Sequence, residues 1–165
     1  MKNLSHILAK GEENGRVTLV QHLSEVALLA EKVALHLGLD TSIARMGAIL
    51  HDIGKTSSLF QDTLKKNYQR PPGFLFRHEL ASLFFISILN EEEKYPIIDM
   101  IVAHHKSIYK DAGGKGLLDL DENEPDVFEK HIKDFDVWSK DALLILDYLK
   151  IETKPISVDQ AKESF

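Results

Sequence analysis

Apolar positions recur at helical spacing almost from one end of the chain to the other. Residues 18–37 place Leu19, Leu23, Val26, Ala30, Val33 and Leu37 on one stripe. Thr18 and Gln21 stand at capping-box spacing at its start, and Gly38 stops it. A second helix is predicted from Asp40 or Thr41 through Ile43, Met46, Ala48, Ile49 and Leu50 to Gly54, and a third, shorter one over residues 57–68. Pro71-Pro72-Gly73 then breaks the pattern. The fourth helix, residues 77–89, is nearly encircled by apolar side chains, which predicts a central place in the core. The fifth covers residues 95–107, with Pro96 in its first turn. A glycine-rich loop at residues 111–116 precedes a sixth helix after Glu124-Pro125 and a seventh over residues 137–150. A last helix begins at Ser157, with Gln160 at capping spacing, and has room for only about two turns before Phe165. That predicts a domain incomplete at its C-terminus. No window alternates with period two, so the expected fold is all-α, a helical bundle with little or no sheet.

Composition narrows the classes. The 165 residues suit one domain by the usual span of about 100–200 residues, here residues 1–165. Cysteine is absent, which excludes disulfides, thiolate zinc sites, iron–sulfur clusters and cysteine nucleophiles, and accords with a reducing, cytoplasmic setting. Residues 1–16 are polar and show no secretory signal. The longest apolar stretch, residues 80–89, is about half a membrane span, so no membrane association is expected. The net charge of −6 hides an asymmetry. Residues 53–77 carry Lys55, Lys65, Lys66, Arg70 and Arg77 against Asp62. Residues 121–136 carry Asp121, Glu122, Glu124, Asp126, Glu129, Asp134 and Asp136 against Lys130 and Lys133. The first run reads either as a phosphate-facing patch or, with the second, as a pair of solvated faces.

The eight histidines are about twice the number an average chain of this length carries. His22, His51, His78, His104 and His105 lie on or beside apolar helical segments, whereas His6, His36 and His131 share that setting less clearly. His51-Asp52 follows small and apolar residues that should bury it, and a buried carboxylate beside a buried imidazole needs a partner. A divalent cation resolves that cost, because it takes both groups deprotonated. His104-His105 poses the same puzzle: two charged imidazoles would repel in a low dielectric, whereas two neutral, metal-bound ones would not. Imidazoles and a carboxylate without thiolate suit Mn, Fe, Co, Ni, Cu or Zn better than calcium. Six candidate ligands exceed one tetrahedral site and fit a pair of ions about 3.5–4 Å apart that share the carboxylate. Such a pair can bind a phosphodiester and activate water. Lys55, after Gly54, is then placed either to meet phosphate or to sit in solvent after a helix end.

The pattern His22, His51-Asp52, His78 and His104-His105 resembles the HD superfamily of metal-dependent phosphohydrolases. More narrowly, it resembles the HD nuclease domain of the CRISPR-associated helicase-nuclease of type I interference. The features that carry this narrower likeness are the double histidine, a histidine opening a helix between the two pairs, and Gly54-Lys55 followed by Phe60-Gln61 and Leu64. The likeness spans residues 18–150. It implies an HD-type bundle with the metal site between helices. His22, His51 and Asp52 would hold one ion, and Asp52 would bridge to a second held by His78, His104 and His105. It further implies catalytic roles for Asp52 and Lys55 and a cofactor of two divalent transition ions (Mn, Fe, Co, Ni or Zn, with Mg as an alternative). The implied activity is endo- and exonucleolytic cleavage of single-stranded DNA. The implied partners are a helicase domain, C-terminal to this chain or on a separate one, and an RNA-guided surveillance complex. No helicase motif is present in this chain.

One departure stands out. The family completes its first ion site with an aspartate on a later helix, and no residue before Phe165 matches it; Asp147 is the nearest stand-in and lies too early. Without that ligand the first ion is expected to bind loosely and activity to be reduced. The alternative function is an HD phosphohydrolase acting on nucleotides or cyclic nucleotides, for which a closed pocket rather than a basic groove is expected. A non-enzymatic helical docking module with a structural metal, and a bundle whose histidines hold no metal, complete the alternatives.

Overall fold

The computed structural model describes residues 4–72, 75–105 and 127–164. The expected glycine-rich loop at 111–116 and Asp121, Glu122, Glu124 and Asp126 lie outside the described residues, so neither that loop nor much of the acidic run is described here.

The described residues form a helical bundle with one small hairpin, in which β1 (Leu8–Lys10) pairs antiparallel with β2 (Val17–Thr18). The expected all-α class, with little sheet, is what the chain adopts. Helix α1 (Leu19–Leu37) follows directly: Thr18 Oγ1 accepts from Gln21 N at 3.2 Å, and Gly38, at φ 69°, ends it. Helix α2 (Thr41–Leu50) is capped by Asp40, whose carboxylate accepts from Ser42 N and Ile43 N. The two helices pack side by side, and α2 also lies on α5 (Glu91–Ala103).

The helical pattern predicts a second helix to Gly54, but α2 stops at Leu50 and the chain tightens into a 3-10 turn over Ile53–Thr56. The cause is tertiary. That turn lies against α4 (His78–Leu83) so closely that a Cβ on Gly54 would stand 2.2 Å from His78 O and 2.6 Å from Ser82 N. Helix α3 (Ser58–Thr63) is shorter than predicted for the same stretch.

The predicted fourth helix is central, as its apolar girth implied, but it is not continuous. Phe84 and Phe85 are consecutive and both fully buried. The chain leaves α4 there and resumes as a 3-10 turn, Ile86–Ile88, so that Phe84 meets Phe128 and Phe135 while Phe85 meets Phe135 and Trp138. Helix α5 starts four residues before the predicted position, because Asn90 and Glu93 form a capping box. Pro96 therefore lies inside α5 rather than in its first turn. The carbonyl it leaves without a donor is that of Glu92, an exposed residue that water can reach. Helices α6 (Val127–Ile132) and α7 (Phe135–Tyr148) follow, and α8 (Val158–Glu163) opens with the predicted Ser157–Gln160 capping box. Leu19, Leu23, Ile49, Leu80, Ile101 and Ile145 are fully buried in the shared core. Among the described residues no helix is long and apolar enough to cross a membrane.

Candidate metal centre

Four helix ends converge beneath this core. His22 sits in the first turn of α1, His51 caps the end of α2 with Asp52 next to it, His78 opens α4, and His104 caps the end of α5 with His105 beside it. The structure thus brings together all six residues that the sequence singled out as metal ligands. Asp52 is at the middle, only 2% exposed.

Its two carboxylate oxygens face different partners. Oδ2 lies 2.8 Å from His22 Nε2, 3.2 Å from His51 Nε2 and 2.7 Å from Lys55 Nζ. Oδ1 lies 2.9 Å from His78 Nε2 and 3.5 Å from His104 Nε2. His78 Nε2 is in turn 3.3 Å from His104 Nε2 and 2.9 Å from His105 Nε2. Two donor sets result, His22–His51–Asp52 and Asp52–His78–His104–His105, each with its ligand atoms within 4.8 Å of one another.

These donor sets fit a divalent ion. Metal–nitrogen bonds of about 2.0–2.1 Å in a tetrahedron put neighbouring ligand atoms about 3.3 Å apart, which is the scale of the separations in the second set. Asp52 Oδ1 is buried and accepts no hydrogen bond, although His78 Nε2 stands 2.9 Å away. A buried carboxylate oxygen left in that state is costly unless a cation completes it. The outer contacts agree. His51 Nδ1 donates to Ala48 O at 2.7 Å and His104 Nδ1 donates to Ile101 O at 2.5 Å. Both acceptors belong to the last turn of a helix, where carbonyls lack helical partners. Each ring is thereby held with Nε2 turned inward as the free ligand atom.

Burial alone would raise the Asp52 carboxyl, but contacts from His104, His22, His51 and His78 outweigh it and hold the group far below the usual carboxylate range. Burial pushes the His78 imidazole down. Burial, with His104 and His78 beside it, does the same to His105. Both are thereby biased toward the neutral form that a metal ligand needs. The sign of the pH dependence follows. In the unfolded chain these two imidazoles take up protons near 6.5, while in the folded chain they resist, so the unfolded state binds more protons below that pH. The depressed Asp52 pKa adds stability that is present above its ordinary 3.8 and lost as pH falls further. Thermal unfolding in chelator from pH 8 to pH 4 should therefore show a level Tm down to about 6.5 and a progressive fall below it. A Tm that rises as pH drops from 7 to 5 would contradict this assignment.

Lys55 is not the solvated lysine of the blander reading. Its side chain is 13% exposed, its Nζ rests on Asp52 Oδ2, and it lies 5.4 Å from the centroid of the Phe60 ring. Asp147 is exposed on α7 and belongs to neither donor set, and Asp141 faces His6 at 4.0 Å. Asp147 therefore does not fill the role of the later aspartate. The basic run does not form one free face: Lys55 pairs with Asp52, Lys65 with Asp62 and Arg77 with Glu79, while Lys66 and Arg70 are exposed.

Three residues have structural roles that the sequence reading does not assign. Gln61 enters the sequence reading only as part of a motif. It donates to the Leu8 and Lys55 carbonyls and accepts from Leu8 N, tying the hairpin to the turn that carries Lys55. His131 is buried and accepts from Arg77 N at 2.8 Å, just before His78. Ser82 lies on α4 one turn after His78, and that spacing is the one signal the sequence offered.

The family model described as HD domain matches residues 19–141. Among curated proteins the chain is similar to Ribonuclease Y of Treponema denticola, 31% identical over 90 residues, covering 54% of this chain and 15% of that protein. It is also similar to Ribonuclease Y of Treponema pallidum, 54% identical over 90 residues with the same coverage, and of Chlorobium phaeobacteroides, 31% identical over 101 residues, covering 61% and 16%. The chain thus spans 15–16% of the length of these relatives. No solved structure matches it.

Proposed function

The chain belongs to the HD domain family of metal-dependent hydrolases, and on that premise we propose that it is a metal-dependent phosphodiesterase cleaving single-stranded DNA in CRISPR interference. The observation that carries the hydrolytic part is Asp52, a buried carboxylate that presents one oxygen to His22 and His51 and the other, without a hydrogen bond, to His78 and His104. Two ions held by these sets would lower the pKa of a bound water and neutralise charge on a phosphodiester. The protein's own part is preorganisation. The carbonyls of Ala48 and Ile101 fix two of the rings, and Asp52 spans both sets. Lys55 keeps a cation beside the carboxylate, in reach of a developing negative charge.

The double histidine His104-His105 with His78 supports the CRISPR branch, and through it a helicase domain and an RNA-guided complex as partners in the cytoplasm. The set with four ligands is the better-formed of the two, so it should load first; the three-ligand set, which gains no further carboxylate among the described residues, should load weakly.

A second reading, cleavage of RNA, is favoured by the relatives, all of which carry the name Ribonuclease Y. One experiment separates these. Circular single-stranded DNA, a single-stranded RNA of matching sequence and a set of cyclic nucleotides are each incubated with the chelated protein after Mn, Co or Ni is restored. Cutting of the DNA circle is expected, and it would show endonucleolytic action. Cutting of RNA alone would replace the DNA reading with the RNA one. Turnover of the cyclic nucleotides alone would make this a small-molecule phosphohydrolase.

A further inference from the structure

Ser82 is fully buried in α4 and its hydroxyl bonds backbone rather than the Asp52 carboxylate or a histidine ring, yet it holds both flanks of Asp52. Its Oγ accepts from Gly54 N at 2.9 Å and donates to His51 O at 3.1 Å. The hydroxyl is thus inserted between an amide and the carbonyl three residues before it, two groups that a tight turn would otherwise pair directly. The turn is held open at that point, and Asp52, at φ −119° and ψ 6°, projects from it. Ser82 sits one helical turn after His78 on the same face of α4. One side chain therefore ties the segment carrying the shared carboxylate to the helix carrying His78.

We propose that Ser82 is a positioning residue of the metal centre, setting the separation between Asp52 and His78 and with it the fit of the Asp52–His78–His104–His105 set. The proposal rests on the metal-dependent reading above. Asp52 Oδ1 and His78 Nε2 are 2.9 Å apart without a well-aligned hydrogen bond, so the segments that carry them set that distance. Gly54 permits the turn to lie on α4, because any Cβ there would strike the α4 backbone. Ser82 then fixes where on α4 it lies. With alanine at this position, Gly54 N and His51 O are free to close on each other, and Asp52 draws away from His78. Groups that hold a ligand in place typically contribute about 10–100-fold to metal affinity.

The test is calorimetric titration of the metal-free chain with Mn2+ alone, for the wild type, Ser82→Ala, Ser82→Thr and Ser82→Cys, with the Tm of each metal-free protein recorded alongside. Ser82→Ala should weaken the tighter Mn2+ site about 10–100-fold. Ser82→Thr, which keeps the hydroxyl, should bind as the wild type does. Ser82→Cys, whose thiol is a weak donor and acceptor, should fall between them, and it supplies the same comparison if the alanine variant does not fold. Wild-type affinity in Ser82→Ala, or in Ser82→Cys, with only a lowered Tm would make Ser82 a structural residue and overturn the proposal. A wild type that binds no Mn2+ would instead overturn the metal-dependent reading, and this proposal with it.

Discussion

Asp52→Asn is expected to lose metal-dependent cleavage by more than about 10³-fold, since one lost electrostatic contact at a reacting centre alone removes about 10²–10³. The substitution keeps the size of the side chain and removes its charge. Asp52 is the one residue common to both donor sets, so the change disables both, whereas His22→Ala touches only the first and His105→Ala only the second. Binding should follow the same logic. The rise in Tm that Mn2+ gives the wild type should vanish in Asp52→Asn and be only reduced in the single-histidine variants, because stabilisation by a ligand scales with its affinity for the folded state. Cleavage that survives in Asp52→Asn within tenfold of the wild type would remove the metal centre from the mechanism.

Gly54→Ala should be the most destabilising glycine-to-alanine change among the described residues. The added Cβ would lie 2.2 Å from His78 O and 2.6 Å from Ser82 N, both backbone atoms of α4, and 2.8 Å from Ala81 Cβ. None of these is the tip of a flexible side chain. Helix α4 is packed among fully buried residues and cannot retreat without opening the core. Overpacking of this kind costs about 3 kcal/mol or more when the neighbours cannot yield. The same methyl on Gly47 would meet Met100 Cε, the end of a flexible chain, so Gly47→Ala should cost much less. Chemical denaturation of the two variants in parallel checks the contrast, and equal losses would mean that the turn is free to lift off α4.

The local signals in the sequence were physical ones and they were obeyed. Thr18, Gly38, Asp40 and Ser157 place helix ends because each satisfies backbone groups that a helix terminus leaves unpaired. The apolar stripes place α2, α5 and α7 because an exposed stripe is costly wherever the chain goes, whereas in α1 the buried line is Leu19, Leu23, Ala27 and Ala34, and Val33 and Leu37 of the predicted stripe are exposed because the far half of that helix has less of the bundle to pack on. The six ligand positions were legible for a related reason: charged and imidazole groups amid apolar residues must be paid for by a partner, and a shared ion is an economical one.

What the sequence could not decide was set by contacts between distant segments. The end of α2 at Leu50 depends on α4, far along the chain, pressing against Gly54. The break after α4 depends on two phenylalanines that share Phe135 but otherwise reach different rings, Phe128 on α6 and Trp138 on α7. The burial of Lys55 against Asp52, the pairing of Arg77 with Glu79 and the tie from Gln61 to Leu8 turn a basic run and an isolated glutamine into parts of one scaffold. Spacing along the chain determined which residues could serve as ligands. Only the packing of four helix ends decided that both oxygens of Asp52 would be used, one toward each set, because a carboxylate's reach is shorter than any distance that sequence periodicity can fix.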